Sequence, residues 1–242
     1  MIPLADRAWH AARNNADLYE AMFAAHGLAW QRDARLFRAM AAPLPYYSAA
    51  LVLQPGDPAE LIPAIAGALA PFAGGAAVKD GFATLDLRPL GLETGFRAQW
   101  IWADRPVDTD TDWQVIDNRG DLAQWELGWK AGGSPTAEPM FPAECLTGGN
   151  LVFCGRRSGS GADAAFDRGC IVNLSGDIVG LSNVFGPEDC AGLFAAALAT
   201  AAKVGGGRPV AGYERGTALD AALAAGFEVA GPLVIWFPRS GA

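Results

Sequence analysis

The adjacent pair Tyr213-Glu214 offers direct acid–base chemistry. A glutamate serves as general base near neutral pH when burial raises its pKa, and a tyrosine gives a proton to a leaving group when it is close enough. A plainer reading stays open, in which Glu214 pairs with Arg215 or Arg208 and Tyr213 packs on a sheet. Trp125 and Trp129 stand four residues apart. On a helix they share one face, where they can line an apolar substrate pocket or pack as core. Arg156, Arg157 and Arg168 could meet an acidic substrate or solubilise the strands that carry them. No metal is expected. The histidines are His10 and His26, and Cys145, Cys154, Cys170 and Cys190 lie far apart with no CxxC pair, so ligand spacing for zinc is missing. The four thiols read as small reduced hydrophobes.

These residues must be positioned by a chain of 242 residues with 51% hydrophobic and 18% charged composition, enough for one large domain or two small ones. Its net charge of -8 argues against nucleic acid, because such binding rests on Lys and Arg at phosphates. No stretch has the length of a membrane helix and no start resembles a signal peptide, so a cytoplasmic protein without membrane contact is expected.

Apolar spacing over Leu4 to Ala42 predicts two helices, the first carrying Trp9, Ala12, Ala16, Tyr19 and Phe23 on one side, the second Leu36, Phe37 and Met40 after Gly27. Tyr46 to Leu53 reads as a strand. A helix follows, with Asp57 as N-cap and Pro58 in its first position. Ala76 to Phe82 is a second strand, and a short helix at Leu85 to Leu90 leads to a strand ending at Trp102. The acidic, proline-broken segment Asp104 to Asp112 is the best linker and divides the chain into 1–106 and 112–242. Beyond it the order is strand (Trp113 to Ile116), helix through Trp125 and Trp129, three antiparallel strands (Asn150 to Arg156, Ala164 to Leu174, Ile178 to Val184), helix from Gly186-Pro187, strand (Arg208 to Glu214), short helix and final strand (Glu228 to Phe237).

The stretches Tyr47 to Trp102 and Ile178 to Trp236 share the order strand, Pro-started helix, strand, short helix, Gly turn, strand. Each carries Leu-Asp (Leu85-Asp86, Leu219-Asp220) ahead of a glycine and an Ile-Trp pair. An internal duplication follows.

Residues Trp113 to Pro238, with Ala218 to Phe227 ending in Gly-Phe before the last strand, resemble the GNAT superfamily of N-acetyltransferases. The whole is similar to a tandem member with a truncated first unit. The resemblance implies an α/β (α+β) fold, a mixed and mostly antiparallel sheet flanked by helices. It also implies transfer of an acyl group from acetyl-CoA to a small amine, with a homodimer possible. In that family the fourth strand splays from the fifth and pantetheine lies in the gap. The pyrophosphate sits at the following helix start in a loop of type Arg/Gln-x-x-Gly-x-Gly/Ala. By position, Ser182, Asn183, Val184, Phe185, Gly186 and Gly192 should hold acetyl-CoA.

This loop departs from the pattern. It has no Arg or Gln, Pro187 removes an amide donor, and Glu188 and Asp189 bring carboxylates toward a helix start that would otherwise favour an anion. Where many members carry an acidic Tyr this chain has Ala222, and Ser182 and Asn183 replace a strand glutamate. Tyr213 and Glu214 are the substitutes, and Trp125 and Trp129 lie on the helix that borders the acceptor. The alternative is a non-catalytic ligand-binding or dimerising relative. An aminoacyl-tRNA donor fits tandem relatives but not the acidic charge.

Overall fold

The computed structural model describes residues 2–72, 75–104, 106, 111–159, 164–187 and 192–239. In chain order it contains α1 (Leu4–Ala25), β1 (Trp30–Arg32), β2 (Leu36–Ala39), β3 (Ala50–Val52), α2 (Pro58–Leu69), β4 (Val78–Asp80), a single-turn helix (Arg88–Leu90) and β5 (Leu92–Ala103). Then follow β6 (Gln114–Ile116), α3 (Arg119–Ala131), a second single turn (Ala143–Leu146), β7 (Leu151–Ser158), β8 (Ala165–Ser175), β9 (Ile178–Phe185), α4 (Leu193–Gly205), β10 (Val210–Glu214), α5 (Gly216–Ala224) and β11 (Glu228–Pro238). The mixed α/β class, with a mostly antiparallel sheet, is as the sequence implied. Among the described residues, no helix is long and apolar enough to cross a membrane.

One expected element is different. Residues 28–42 hold a hairpin, β1 with β2, in place of a second helix. The helical run stops after α1 because Leu28 N–H bonds back to Phe23 O at 2.8 Å, a six-to-one closure that ends helices. Asp33 then accepts from the amides of Arg35 (2.8 Å) and Leu36 (2.9 Å), and this side-chain turn competes with helix. Leu36 faces the α2 side and Phe37 the α1 side. Burial on both faces removes the alternation that would have announced a strand.

The chain forms two compact units, Ile2–Trp100 with Ala230–Ala242, and Ile101–Val229. A single cut in 104–112 would leave β11 with the second unit, whereas most of β11 belongs to the first. In the first unit the strand order is β1-β2-β3-β4-β11-β5. Here β3 and β4 are parallel, joined by α2, and β11 is antiparallel to β4. The helix α1 covers one face through Ala16, Tyr19 and Phe23, and α2 covers the other through Leu61 and Ile65.

The second unit begins with the last residues of β5 and continues β10-β9-β8-β7-β6. Here β6 to β9 form an antiparallel meander, and β9 and β10 are parallel, joined by α4. Its main core packs Phe194, Ala197 and Ala201 of α4 and Ala222 of α5 on Cys154, Cys170, Val172, Val179 and Val210. Cys145, Cys154 and Cys170 are buried thiols outside any disulfide. Burial pushes the Cys145 thiol up to about 12, and raises that of Cys170, so both stay protonated and behave as core.

Candidate active site

The two parallel strands β9 and β10 run together only briefly. Val210 pairs with Val179 and Ala211 with Gly180. At the next position a Cβ on Gly212 would fall 2.7 Å from Leu181 O, so only glycine lets the backbones stay this close. No pair with β10 is formed from Ser182 onward among the described residues. On its other edge β9 carries one extra residue. Ile171 of β8 faces Ser182 and Gly169 faces Phe185, so two steps on β8 span three on β9. Asn183 absorbs the difference with a left-handed φ of +51°, a conformation asparagine tolerates better than most residues. The bulge re-aims the end of β9, where Ser182, Asn183 and Val184 are half-buried. Asn183 Nδ2 donates to Ser182 Oγ at 3.2 Å.

The N-cap residue of the helix after β9 supplies no side-chain cap. Gly192, at φ +82°, occupies the cap position of α4, a conformation that strains any residue with a Cβ. The first helical bond runs from Ala196 N–H to Gly192 O at 2.9 Å. The amides of Leu193, Phe194 and Ala195 therefore have no partner within the helix, and they sit at its positive end. Gly186 lies against the Leu193 side chain, where a Cβ would approach to 2.9 Å. Glu188 and Asp189, the carboxylates expected to oppose an anion here, lie outside the described residues.

At the end of β10, Glu214 is half-buried. Burial pushes its carboxyl up to about 7. It forms no hydrogen bond or ion pair among the described residues. Arg208 is committed elsewhere, through Nε to Gly205 O (2.8 Å) and Nη1 to Gly176 O (2.9 Å). Strand alternation puts Val210 and Glu214 on the α4 face and Tyr213 on the opposite one. The two side chains thus lie on opposite faces of β10.

No protein-family model matches the sequence, and no curated protein does. Solved structures do. A GCN5-related N-acetyltransferase from Kribbella flavida superposes with TM-score 0.65 at 15% identity, covering 96% of each chain. A putative acetyltransferase from the GNAT family of Novosphingobium aromaticivorans superposes with TM-score 0.59 at 16% identity, covering 92% of this chain and 97% of that one. A functionally unknown conserved protein from Staphylococcus epidermidis gives 0.57 at 12%, covering 86% and 92%. The fold is the GNAT fold.

The remaining sequence-derived residues sort by burial in this GNAT framework. Trp125 and Trp129 are buried. Trp125 donates Nε1–H to Cys154 O at 2.9 Å and meets Phe141, Phe153 and Phe185 edge-on, with centroids 5.1 to 5.2 Å apart. Trp129 meets Phe141 at 5.0 Å. Their contacts are those of a core cluster under the meander, and through Phe185 this cluster holds the end of β9. Glu126, on the same helix, accepts from the amides of Met140 (2.8 Å) and Phe141 (3.2 Å) and pairs with Lys130 (2.8 Å), which ties down the loop after α3. Arg156 pairs with Asp167 at 2.9 Å, Arg168 with Asp167 at 3.3 Å, and Arg157 with Asp121. Ala222 is fully buried against the core and offers no acid. No group of three metal-ligating side chains occurs among the described residues. The feature that sequence reasoning missed is the bulge at Asn183.

Proposed function

We propose that the chain is an N-acyltransferase that moves an acetyl or acyl group from acyl-CoA to a small amine, with the second unit holding the donor. The observation that carries this reading is the parting of β9 from β10 beside a helix start whose cap residue has no side chain to offer. Unpaired backbone groups on the β9 edge suit the amides of a pantetheine arm, as an exposed strand edge suits any extended partner. The open amides of α4 suit its diphosphate. Bound acyl-CoA supplies an activated thioester carbonyl. Glu214, ionising near 7, takes the proton that the attacking ammonium must lose. A molecule lying between two separated strands touches both faces of β10, so Tyr213 can give a proton to the departing thiolate from the other side.

Calorimetry with acetyl-CoA tests the binding half directly. Saturable binding with one site per chain is expected, and absence of binding at about millimolar ligand would remove the enzyme reading. Release of free thiol on adding an amine tests the rest.

A second reading is favoured by Ala222, which fills with core the place where many such enzymes keep an acid. On that reading the chain binds its ligand, or a second copy, without turnover. Acetyl-CoA binding with no thiol release over a broad amine panel would support it.

A further inference from the structure

The first unit holds a cavity of about 450 Å³ lined by Asp6, Trp9, His10, Gln54, Pro55 and Phe82, with two alanines of α1. Its volume lies within the roughly 300 to 1,000 Å³ of small-molecule sites. The lining has a clear chemical bias. Asp6 and His10, four residues apart, share the α1 face with Trp9 between them. Gln54 and Pro55 come from the turn after β3, and Phe82 from the turn after β4. The exposed Asp6 supplies a carboxylate at the rim. Trp9, His10 and Phe82 are half-buried and present ring surface. The Trp9 ring already attracts one cation, Arg13, whose Cζ stands 4.8 Å from its centroid, so its remaining edge and the Phe82 ring are what a ligand body meets.

The same site is hostile to an anion. The α2 start beside Pro55 is occupied by its own carboxylate, with Ala59 N–H donating to Asp57 Oδ1 at 2.9 Å, and Pro58 has no amide to offer. A diphosphate entering the cavity would meet the Asp6 carboxylate in place of free N–H groups.

We infer that this cavity binds a small organic cation, an ammonium carried on an apolar or aromatic body, with the nitrogen at Asp6 and the body against Trp9 and Phe82. Carboxylate and aromatic surface together select a cation over a neutral molecule of the same shape. The inference does not rest on acyl transfer, and holds whether or not the second unit turns over acyl-CoA.

The test is a titration of the full chain with phenethylamine, followed by the Trp9 indole N–H resonance, which Trp9→Phe identifies by its loss. A saturable shift at about millimolar or lower ligand is expected. Phenethyl alcohol, the neutral analogue, and the Asp6→Asn chain with phenethylamine should each bind about tenfold more weakly or worse. Asp6 is exposed, so that variant keeps the fold, and Gln54→Ala provides a second change in the lining. Equal binding of the alcohol, an undiminished affinity in Asp6→Asn, or no shift of Trp9 at about 10 mM amine would overturn the inference. Shifts confined to residues of the second unit would do the same, while leaving the amine-acceptor reading of that unit intact.

Discussion

At the start of α2 the Ala59 amide is taken by the Asp57 carboxylate and the position before it is a proline without N–H. At the start of α4 the cap is a glycine and the first three amides are left open by the helix itself. Both helices follow the first strand of a parallel pair, and in both pairs the register holds for two positions. The strand that follows differs in turn. Beyond β4, Asp80 folds its carboxylate back onto the amides of Phe82 (3.1 Å) and Leu85 (2.8 Å) and so closes the turn. Beyond β10, Glu214 has no such partners and burial alone sets its pKa. Among the described residues, one architecture thus gives a helix start capped by a carboxylate and a helix start whose cap residue has no side chain to offer. The difference lies in which backbone donors the chain has already spent.

The largest effect expected from breaking this contrast is at Glu214. Glu214→Gln should lower kcat by about a hundred- to ten-thousand-fold, leave acetyl-CoA affinity unchanged in calorimetry, and abolish the rise of kcat/KM through pH 7 that a base of this pKa produces. Stability provides a separate sign. The folded chain keeps this proton up to about 7, whereas an ordinary glutamate releases it near 4.5. The folded state therefore holds more protons than the unfolded one in that window, and stability falls as pH rises through it. Thermal unfolding of Glu214→Gln should lack this fall.

Asp80→Ala should cost about 1 to 3 kcal/mol, the cost of leaving buried amides unpaired, read by denaturant unfolding with no change in donor affinity. A smaller loss, about 1 kcal/mol for a helix cap, is expected of Asp57→Ala. The same variant should not create a second acetyl-CoA site, and a stoichiometry of two would show that the cap was what closed the first helix start. The smallest effect belongs to Ala195→Glu. This exposed position in the first turn of α4 would gain a carboxylate. The helix should gain about 0.3 to 1 kcal/mol while acetyl-CoA binding weakens by a similar amount, a few-fold in Kd. Opposite signs in one substitution distinguish an anion site from an ordinary helix start.

Part of this contrast was legible in the residues. Asp57-Pro58 announced a capped helix and the order of elements both βαβ units, whereas the second helix start read as opposed to an anion through Glu188 and Asp189, which lie outside the described residues. The reasons for the failures are physical. Residues 28–42 were misread because β2 is buried on both faces and its turn is made by one aspartate side chain. The spacing of Trp125 and Trp129 is the same for a pocket wall and for core, and only the rings packed on them decide between the two. The bulge at Asn183 depends on how β8 pairs with β9, which no local pattern encodes. Partner choice for β5 and β11 is likewise non-local. Each follows a Gly turn, yet β11 settles beside β4 and the end of β5 beside β10.

That exchange of final strands has a consequence for biosynthesis. The first unit is completed by residues 230–238, which are made after all of residues 101–229, so β4 must wait for its neighbour until the second unit has been synthesised. Strand β11 acts as the closing step for a unit whose other strands were made before the second unit. A nascent chain stalled before residue 230 would expose the edge of β4, a template for pairing with other chains.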